Sequence, residues 1–206
     1  MICIILAFIV FLILTGYYYR IIEKTIKIEN KLPEYDNIFL MLIQGFKITI
    51  VEIIYQLIPL ILLVLGVILL KFATGNDLFF YGAISLIIIA IILSLLMWFF
   101  SIMAINNFIA NSGQISKALT FKEIWTLIKS VDLLKYLGTI ILFIIIQTII
   151  FLAIGIVTGI LSAFSTIAGH FALFLMSIVG AISLVANVYC MIFIARGYAL
   201  LYLVAQ

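Results

Sequence analysis

Four polar side chains within the apolar stretches of this sequence are the residues best placed to do chemistry. Glu52 and Gln56 lie one helical turn apart shortly before Pro59, while Gln147 and Asn187 lie inside two later apolar stretches. A polar group within a membrane costs free energy unless it faces protein or water. One interpretation is therefore a polar track through a helical bundle, lined by these four side chains. In the alternative, Glu52 extends to the membrane surface and the amides hydrogen-bond between helices.

Residues that commonly carry catalysis or bind metals are scarce. The single histidine is His170, and the two cysteines, Cys3 and Cys190, lie in separate apolar stretches without C-x-x-C spacing. A zinc site needs several such ligands together, and the sequence has no H-E-x-x-H, G-x-S-x-G or P-loop motif. The sequence therefore predicts no catalytic residue, no metal site and no cofactor. Both cysteines are interpreted as small buried hydrophobic residues.

The composition excludes a soluble globular domain. Of 206 residues, 68% are hydrophobic and 9% are charged, whereas soluble domains carry about 25% charged residues. Five apolar stretches are long enough to cross a bilayer as helices. They predict an all-α membrane protein in which residues 1–206 form one polytopic domain with about five transmembrane helices. The net charge of +3 is spread along the chain, so the predicted partner is the lipid bilayer and not nucleic acid. The predicted spans are 2–19, 48–70, 78–102, 137–162 and 169–194.

The distribution of basic residues predicts the orientation. Ten of the eleven lysines and arginines lie in the two long connections, 20–47 and 103–136, or just after the fifth span, and only Lys71 lies elsewhere. Connections rich in Lys and Arg remain cytoplasmic. We therefore expect a multi-pass protein of the cell membrane with its N-terminus outside and its C-terminus in the cytoplasm.

Each long connection is predicted to contain a short amphipathic helix on the cytoplasmic membrane surface. In "LTFKEIW", Thr120 and Glu123 have the spacing of a capping box, which predicts a helix start. In "LPEYDNIFLMLIQGFK", Pro33 suits the first turn of a helix, and Gly45 is expected to allow a bend into the second span. Phe39 and Trp125 are the predicted interfacial anchors of the two helices.

The two long connections also resemble each other at a constant offset of 86 residues, which places Tyr35 over Phe121 and Phe39 over Trp125. This weak internal repeat predicts two similar units, about 1–76 and 77–166, followed by an extra span in 167–206. Repeats of this kind occur in transporters and also in proteins that transport nothing.

Small residues at four-residue spacing predict a close-packing helix face. In "GIVTGILSA", Gly155, Gly159 and Ala163 are four residues apart, a pattern that lets two membrane helices approach closely. The partner is either another helix of this chain or a second protomer. The sequence therefore allows a homo-oligomer or contacts with other membrane proteins.

Several short motifs resemble an archaeal family of integral membrane proteins. They are "GYYYR" closing a span, "LPEYD", "GFK" entering the next span, and "MAINNFIANSGQISKALTFKEIWTLIK". Over about residues 10 to 200 the chain is similar to the family catalogued as domain of unknown function 4013. The resemblance implies an archaeal cell membrane, and it implies no activity and no catalytic residues.

Three classes of function remain, of which an enzyme is the least favoured. We expect a non-enzymatic component of the membrane that supports other components or the envelope. The alternative is a small-solute or ion transporter or channel that uses the polar residues within the spans. A transporter requires a water-accessible cavity that reaches Glu52 or Gln147, whereas a supporting protein requires a tightly packed core.

Overall fold

The computed structural model of the chain describes residues 2–29, 31–73, 77–168 and 170–206, except for the side chains of 164–168, 170, 172 and 173. Within these ranges the chain forms seven helices and no strand. Five of them, α1, α2, α3, α6 and α7, are long and apolar enough to cross a membrane, which confirms the predicted class. The helices are α1 (Ile2–Ile26), α2 (Ile38–Lys71), α3 (Asp77–Ala110), α4 (Ile115–Ala118), α5 (Phe121–Ser130), α6 (Leu133–Ala168) and α7 (His170–Ala205).

The number of long and short helices agrees with the prediction, but both short helices lie in the second long connection. Residues 32–37 are not helical, and α2 begins at Ile38 and runs through Gly45 without a break. Asn37 caps α2, since it adopts a left-handed φ of 46° and accepts a hydrogen bond of 3.2 Å from the Leu40 N–H. The predicted helix start at Pro33 and the predicted bend at Gly45 are therefore wrong.

Gly45 instead allows α1 and α2 to touch backbone to backbone. A Cβ atom at Gly45 would lie 2.0 Å from the Leu12 carbonyl oxygen, and one at Gly16 would lie 2.0 Å from the Met41 carbonyl oxygen. The two contacts are reciprocal. Gly45 of α2 faces the Leu12 carbonyl, one turn before Gly16, and Gly16 of α1 faces the Met41 carbonyl, one turn before Gly45. Small residues give helices in membranes this close approach.

Most buried residues lie at one end of the bundle, which we call the head. It contains the C-terminal parts of α1, α3 and α7, the N-terminal parts of α2 and α6, and both short helices. Every residue from Ser101 to Ile109 is buried, so this part of α3 is surrounded on all sides. Both long connections and the end of α7 meet here, and the head therefore brings together the regions that carry most of the basic residues.

Outside the head the chain consists of the first half of α1 and two helical hairpins, α2–α3 and α6–α7, that are largely exposed. Within the first hairpin, Gly66 lies against Ile87, and Ala83 and Ala90 are buried. Among the described residues, α3 and α7 make the main contact between the two hairpins, and they do so in the head. Apolar helices gain little by packing against each other in lipid, which is as apolar as their side chains.

Helix α5 begins at Phe121, as the sequence predicts, but without the predicted capping box. The Thr120 hydroxyl donates a hydrogen bond of 3.0 Å to the Ser116 carbonyl, and the Glu123 carboxylate pairs with Lys117 Nζ at 3.2 Å. Ile124 and Ile128 are buried. Burial of this apolar face against the head thus holds α5 in place.

The two units of the predicted repeat differ in structure near their centres. The offset of 86 residues places Gly45 over Val131, where α5 ends. Asp132 then adopts a φ of 73°, and its carboxylate accepts a hydrogen bond of 3.2 Å from the Leu134 N–H at the start of α6. The first unit therefore has one continuous helix, α2, where the second unit has α5 and α6.

We predict that Gly45→Ala destabilises the protein and that Gly155→Ala does not. A Cβ at Gly45 overlaps backbone atoms of α1, which cannot move aside as a flexible side chain can, so we expect a cost of at least about 1–3 kcal/mol. No described atom lies within 4 Å of a Cβ at Gly155, and alanine favours a helix over glycine. Thermal unfolding in detergent measures both effects. Equal unfolding temperatures for the two variants would contradict the proposed close contact.

Candidate functional site

Gln56 forms a polar contact inside the α2–α3 hairpin. Its amide nitrogen donates to the Ser94 carbonyl at 3.3 Å, and its amide oxygen accepts from the Ser94 hydroxyl at 2.7 Å. The two residues also line a cleft of about 380 Å³ beside Pro59. The contact satisfies the amide within the membrane-spanning region, as the alternative interpretation expects.

Glu52 lies on a different surface, between α1, α2 and α7. Its side chain lines a cavity of about 260 Å³ with Phe11, Tyr18 and Met191. Within the described chain its carboxylate forms no hydrogen bond and no ion pair. Glu52 is thus an acidic side chain that lies within a span and has no described partner.

Gln147 and Asn187 lie on the α6–α7 hairpin. Gln147 is half-buried and lines a cleft of about 380 Å³ between these two helices, together with Phe143 and Cys190. Asn187 is exposed, and its amide donates to the Ser183 carbonyl one turn earlier at 2.8 Å. Glu52, Gln56 and Gln147 thus line three different cavities, and no described hydrogen bond joins any two of the four residues of the predicted track.

Two residues of the predicted close-packing face on α6 leave room for a larger side chain. Apart from the backbone of the adjacent helical turns, no described atom lies within 4 Å of a Cβ built at Gly155 or at Gly159. No described helix of this chain packs against either glycine.

The two predicted anchors differ in their surroundings. Phe39 is 73% exposed, because the buried face of α2 runs through Met41 and Gly45. Trp125 is 38% exposed and stacks on Phe100 with a distance of 5.7 Å between ring centroids. Trp125 therefore contacts the head, whereas Phe39 is free to contact lipid.

Arg20 is the most extensively hydrogen-bonded side chain described in the head, and it is absent from the predicted site residues. Its side chain lies 9% exposed at the point where α1 passes the segment that leads into α2. Its Nη1 donates to the carbonyl of Glu34 at 3.1 Å and to the carbonyl of Asp36 at 2.8 Å, and it also pairs with the Asp36 carboxylate. Its Nη2 donates to the Asn37 carbonyl at 3.4 Å, and its Nε donates to Gln44 Oε1 at 3.3 Å.

The segment that Arg20 holds is "LPEYD", residues 32–36. Tyr17 adds two contacts to it: its hydroxyl donates to the Pro33 carbonyl at 3.2 Å, and its ring stacks on Tyr35 with centroids 4.1 Å apart. Burial raises the pKa of Tyr35 above its usual value, and the neighbouring Tyr17 adds to this shift. The signal in the sequence is the co-occurrence of "GYYYR" and "LPEYD", which the structure explains as one hydrogen-bonded unit.

A second polar centre lies on the buried part of α3. Asn107, 1% exposed, donates to the Lys117 carbonyl at 3.1 Å and accepts from the Tyr202 hydroxyl at 2.9 Å. It therefore joins α3 to the connection that follows it and to α7. Its neighbour Asn106 donates to the Ile102 carbonyl at 2.8 Å, but its buried Oδ1 accepts no hydrogen bond.

These polar centres hold the head together. Across the described residues, no group of three His, Cys, Asp or Glu side chains is placed to hold a metal ion. Both cysteines are free thiols: Cys190 is buried, as predicted, whereas Cys3 is exposed. The side chain of His170 lies outside the described residues. Guanidinium, amide and hydroxyl groups here bind backbone carbonyls, which is a structural role.

Comparison with known proteins identifies one family. The model of a family described as "Protein of unknown function (DUF4013)" matches residues 1–162. No curated protein and no solved structure matches the chain. The matched range contains Arg20, the segment it holds, and both asparagines of α3.

We predict that Arg20→Met releases residues 32–37 from the head, whereas Asp36→Asn has little effect. The methionine leaves three backbone carbonyls and Gln44 without their donor, and hydrogen bonds to a charged group are each worth about 1.5–3 kcal/mol. The Asp36 side chain is 71% exposed, so its ion pair contributes only about 0–1 kcal/mol. Limited proteolysis of the detergent-solubilised protein should show faster cleavage within 32–37 in the first variant only. Equally fast cleavage of both variants, above the wild-type rate, would indicate that the Asp36 carboxylate is the important contact of Arg20.

Proposed function

We propose that this chain, which belongs to the DUF4013 family of proteins of unknown function, is a non-enzymatic, membrane-embedded support or accessory component. The observation that supports the proposal most directly is that polar side chains in the head bind backbone carbonyls of the same chain. Arg20, Asn107 and Tyr17 all bind backbone carbonyls of the same chain. A side chain that already holds its own fold in this way is poorly placed to bind a substrate.

The separation of the polar residues within the spans also supports this proposal over a transporter. Glu52, Gln56 and Gln147 each line a different cavity. A transport path needs its polar groups along one route near the middle of the membrane. Glu52 keeps the alternative of a small-solute or ion transporter open, because a carboxylate without a described partner within a span is a candidate ion or proton site.

We expect other membrane helices to be the partners of this component. The outer halves of α6 and α7 are largely exposed to their surroundings, and the Gly155–Gly159 face meets no described part of the chain. Small residues at this spacing favour helix association in lipid. A second copy of the chain and a different membrane protein both fit this face.

The proposed location is the cell membrane of an archaeon, with the head in the cytoplasm and the N-terminus outside. Most of the basic residues lie in or next to the head, and Lys71 lies at the opposite end of α2. The positive-inside rule then places the head in the cytoplasm. The archaeal origin rests on the resemblance of the "GYYYR" and "LPEYD" motifs to archaeal proteins.

Cysteine labelling tests this orientation. In a chain carrying Cys3→Ser and Cys190→Ala, we expect Ser112→Cys in the head to react with a membrane-impermeant maleimide only after the cells are permeabilised. Phe72→Cys, at a position that is 66% exposed at the other end of α2, should react in intact cells. Labelling of Ser112→Cys in intact cells would reverse the proposed orientation.

Complementation of a deletion strain tests the function. We expect the triple variant Glu52→Gln, Gln56→Leu, Gln147→Leu to restore wild-type growth under envelope stress, because a supporting component does not need these side chains. Arg20→Met should fail to restore growth, since it loosens the head. Expression levels are compared by immunoblot. A triple variant that is inserted at the wild-type level but fails to complement would favour a transporter.

A further inference from the structure

An apolar groove opens between α3, α5 and α6 at the edge of the head. It has a volume of about 330 Å³, near the lower limit of about 300–1,000 Å³ for small-molecule sites. Leu96, Leu133 and Trp125 are exposed at the groove by 51%, 42% and 38% of their surfaces. The lining residues are Leu96, Phe99, Phe100, Trp125, Ile128, Leu133, Tyr136 and Leu137.

The groove offers an occupant no free hydrogen-bonding group. Its one lining hydroxyl, that of Tyr136, donates to the Phe99 carbonyl at 2.6 Å. The ring of Trp125 is stacked on Phe100, which fixes the wall formed by α5. Such a lining suits an alkyl chain, because an unpaired polar group of a ligand would lose its water without gaining a partner.

A positive charge lies at the rim of the groove. Lys129 Nζ is 5.1 Å from the centre of the Trp125 ring, a distance at which a cation is attracted to the face of an aromatic ring. The ammonium group is thus held next to one of the residues that line the groove. An occupant with an anionic end and an apolar end would meet both features.

The carboxylates near the groove are already engaged. Glu123 pairs with Lys117, and Asp132 accepts the hydrogen bond that caps α6. Lys129, together with the exposed Lys122 and Lys135, forms no ion pair with any described residue. These contacts leave the net charge of residues 103–136 at +2, from four lysines and two carboxylates, and they leave Lys129 available to an anionic group from outside the described chain.

We propose that this groove binds an anionic phospholipid, one whose headgroup has a net negative charge, with a hydrocarbon chain between α3 and α6 and the phosphate beside Lys129. Basic residues next to a membrane recognise anionic lipids in this way. The complementarity lies in the pairing of an apolar groove with an ammonium group at its rim. The inference requires insertion into a membrane, and it does not depend on the supporting role proposed above.

Quenching of Trp125 fluorescence tests the site. The chain has two tryptophans, so Trp98→Phe leaves Trp125 as the single reporter in the full-length protein in detergent. Lipids with brominated acyl chains quench a tryptophan that they contact. We expect brominated phosphatidylglycerol to reach half-maximal quenching at a mole fraction about fivefold lower than brominated phosphatidylcholine. This ratio corresponds to the free energy of one additional lysine contact with an anionic lipid.

Three variants in the Trp98→Phe background separate the groove from general contact with lipid. Lys129→Gln should remove the preference for phosphatidylglycerol, whereas the matched control Lys31→Gln, an exposed lysine before "LPEYD", should keep it. Leu96→Phe should narrow the groove and reduce quenching by both lipids. Because Lys129 and Lys31 are exposed, both glutamine variants are expected to fold.

Three results would overturn the proposal. Equal quenching by both lipids in the Trp98→Phe protein would mean that Trp125 contacts the surrounding lipid without selecting it. Equal effects of Lys129→Gln and Lys31→Gln would mean that the preference arises from the total charge. Full displacement of phosphatidylglycerol by inorganic phosphate alone would mean that the acyl chain contributes nothing to binding.

Discussion

The buried charge of Arg20 constrains the whole first half of the head. A guanidinium group out of water needs acceptors for its N–H groups. The carbonyls of a helix interior already accept intrahelical hydrogen bonds, and the two shorter carbonyl contacts of Arg20 go to Glu34 and Asp36, which precede α2. The Asn37 carbonyl, which also accepts from the Met41 N–H, is a third and longer contact. Glu34 and Asp36 must stay out of the helix, and this is why α2 begins at Ile38 and not at Pro33. The glycine contacts between α1 and α2 then bring Gln44 within reach of the same guanidinium.

A different constraint explains why the polar centres lie in the head and not along the spans. In water or at the membrane surface, packing removes apolar side chains from water and is strongly favourable. Within lipid this gain is absent, so long helices can remain largely exposed there. The buried stretch Ser101–Ile109 therefore lies at one end of α3, and the hydrogen bonds of Asn107 to Lys117 and Tyr202 connect the elements around it.

The class of fold was predictable from the sequence, because long apolar stretches depend on local composition. The start of α5 at Phe121 was also predicted correctly, although Thr120 and Glu123 bond to Ser116 and Lys117 and not to each other's backbone. The lengths of the helices were not predictable, since hydropathy indicates where a helix enters lipid and not where it ends beyond the membrane. Gly45 illustrates a second limit: a glycine permits both a bend and a close contact, and only the position of α1 decides between them. The polar residues show a third limit of sequence-based prediction. The spacing of Glu52 and Gln56 places both on one helix, but it does not determine which neighbouring helix each side chain faces.

The exposure of the two hairpins outside the head affects how the protein fits membranes of different thickness. Helix α2 has 34 residues, or about 51 Å of length, against a hydrocarbon core of about 30 Å. A helix longer than the core adjusts by tilting, at a modest cost per ångström of mismatch. Because the two hairpins meet mainly through the head, one hairpin places little restraint on the tilt of the other outside it. The length of the helices beyond the head, and not a contact between the hairpins, therefore sets how the chain meets a thin or a thick bilayer.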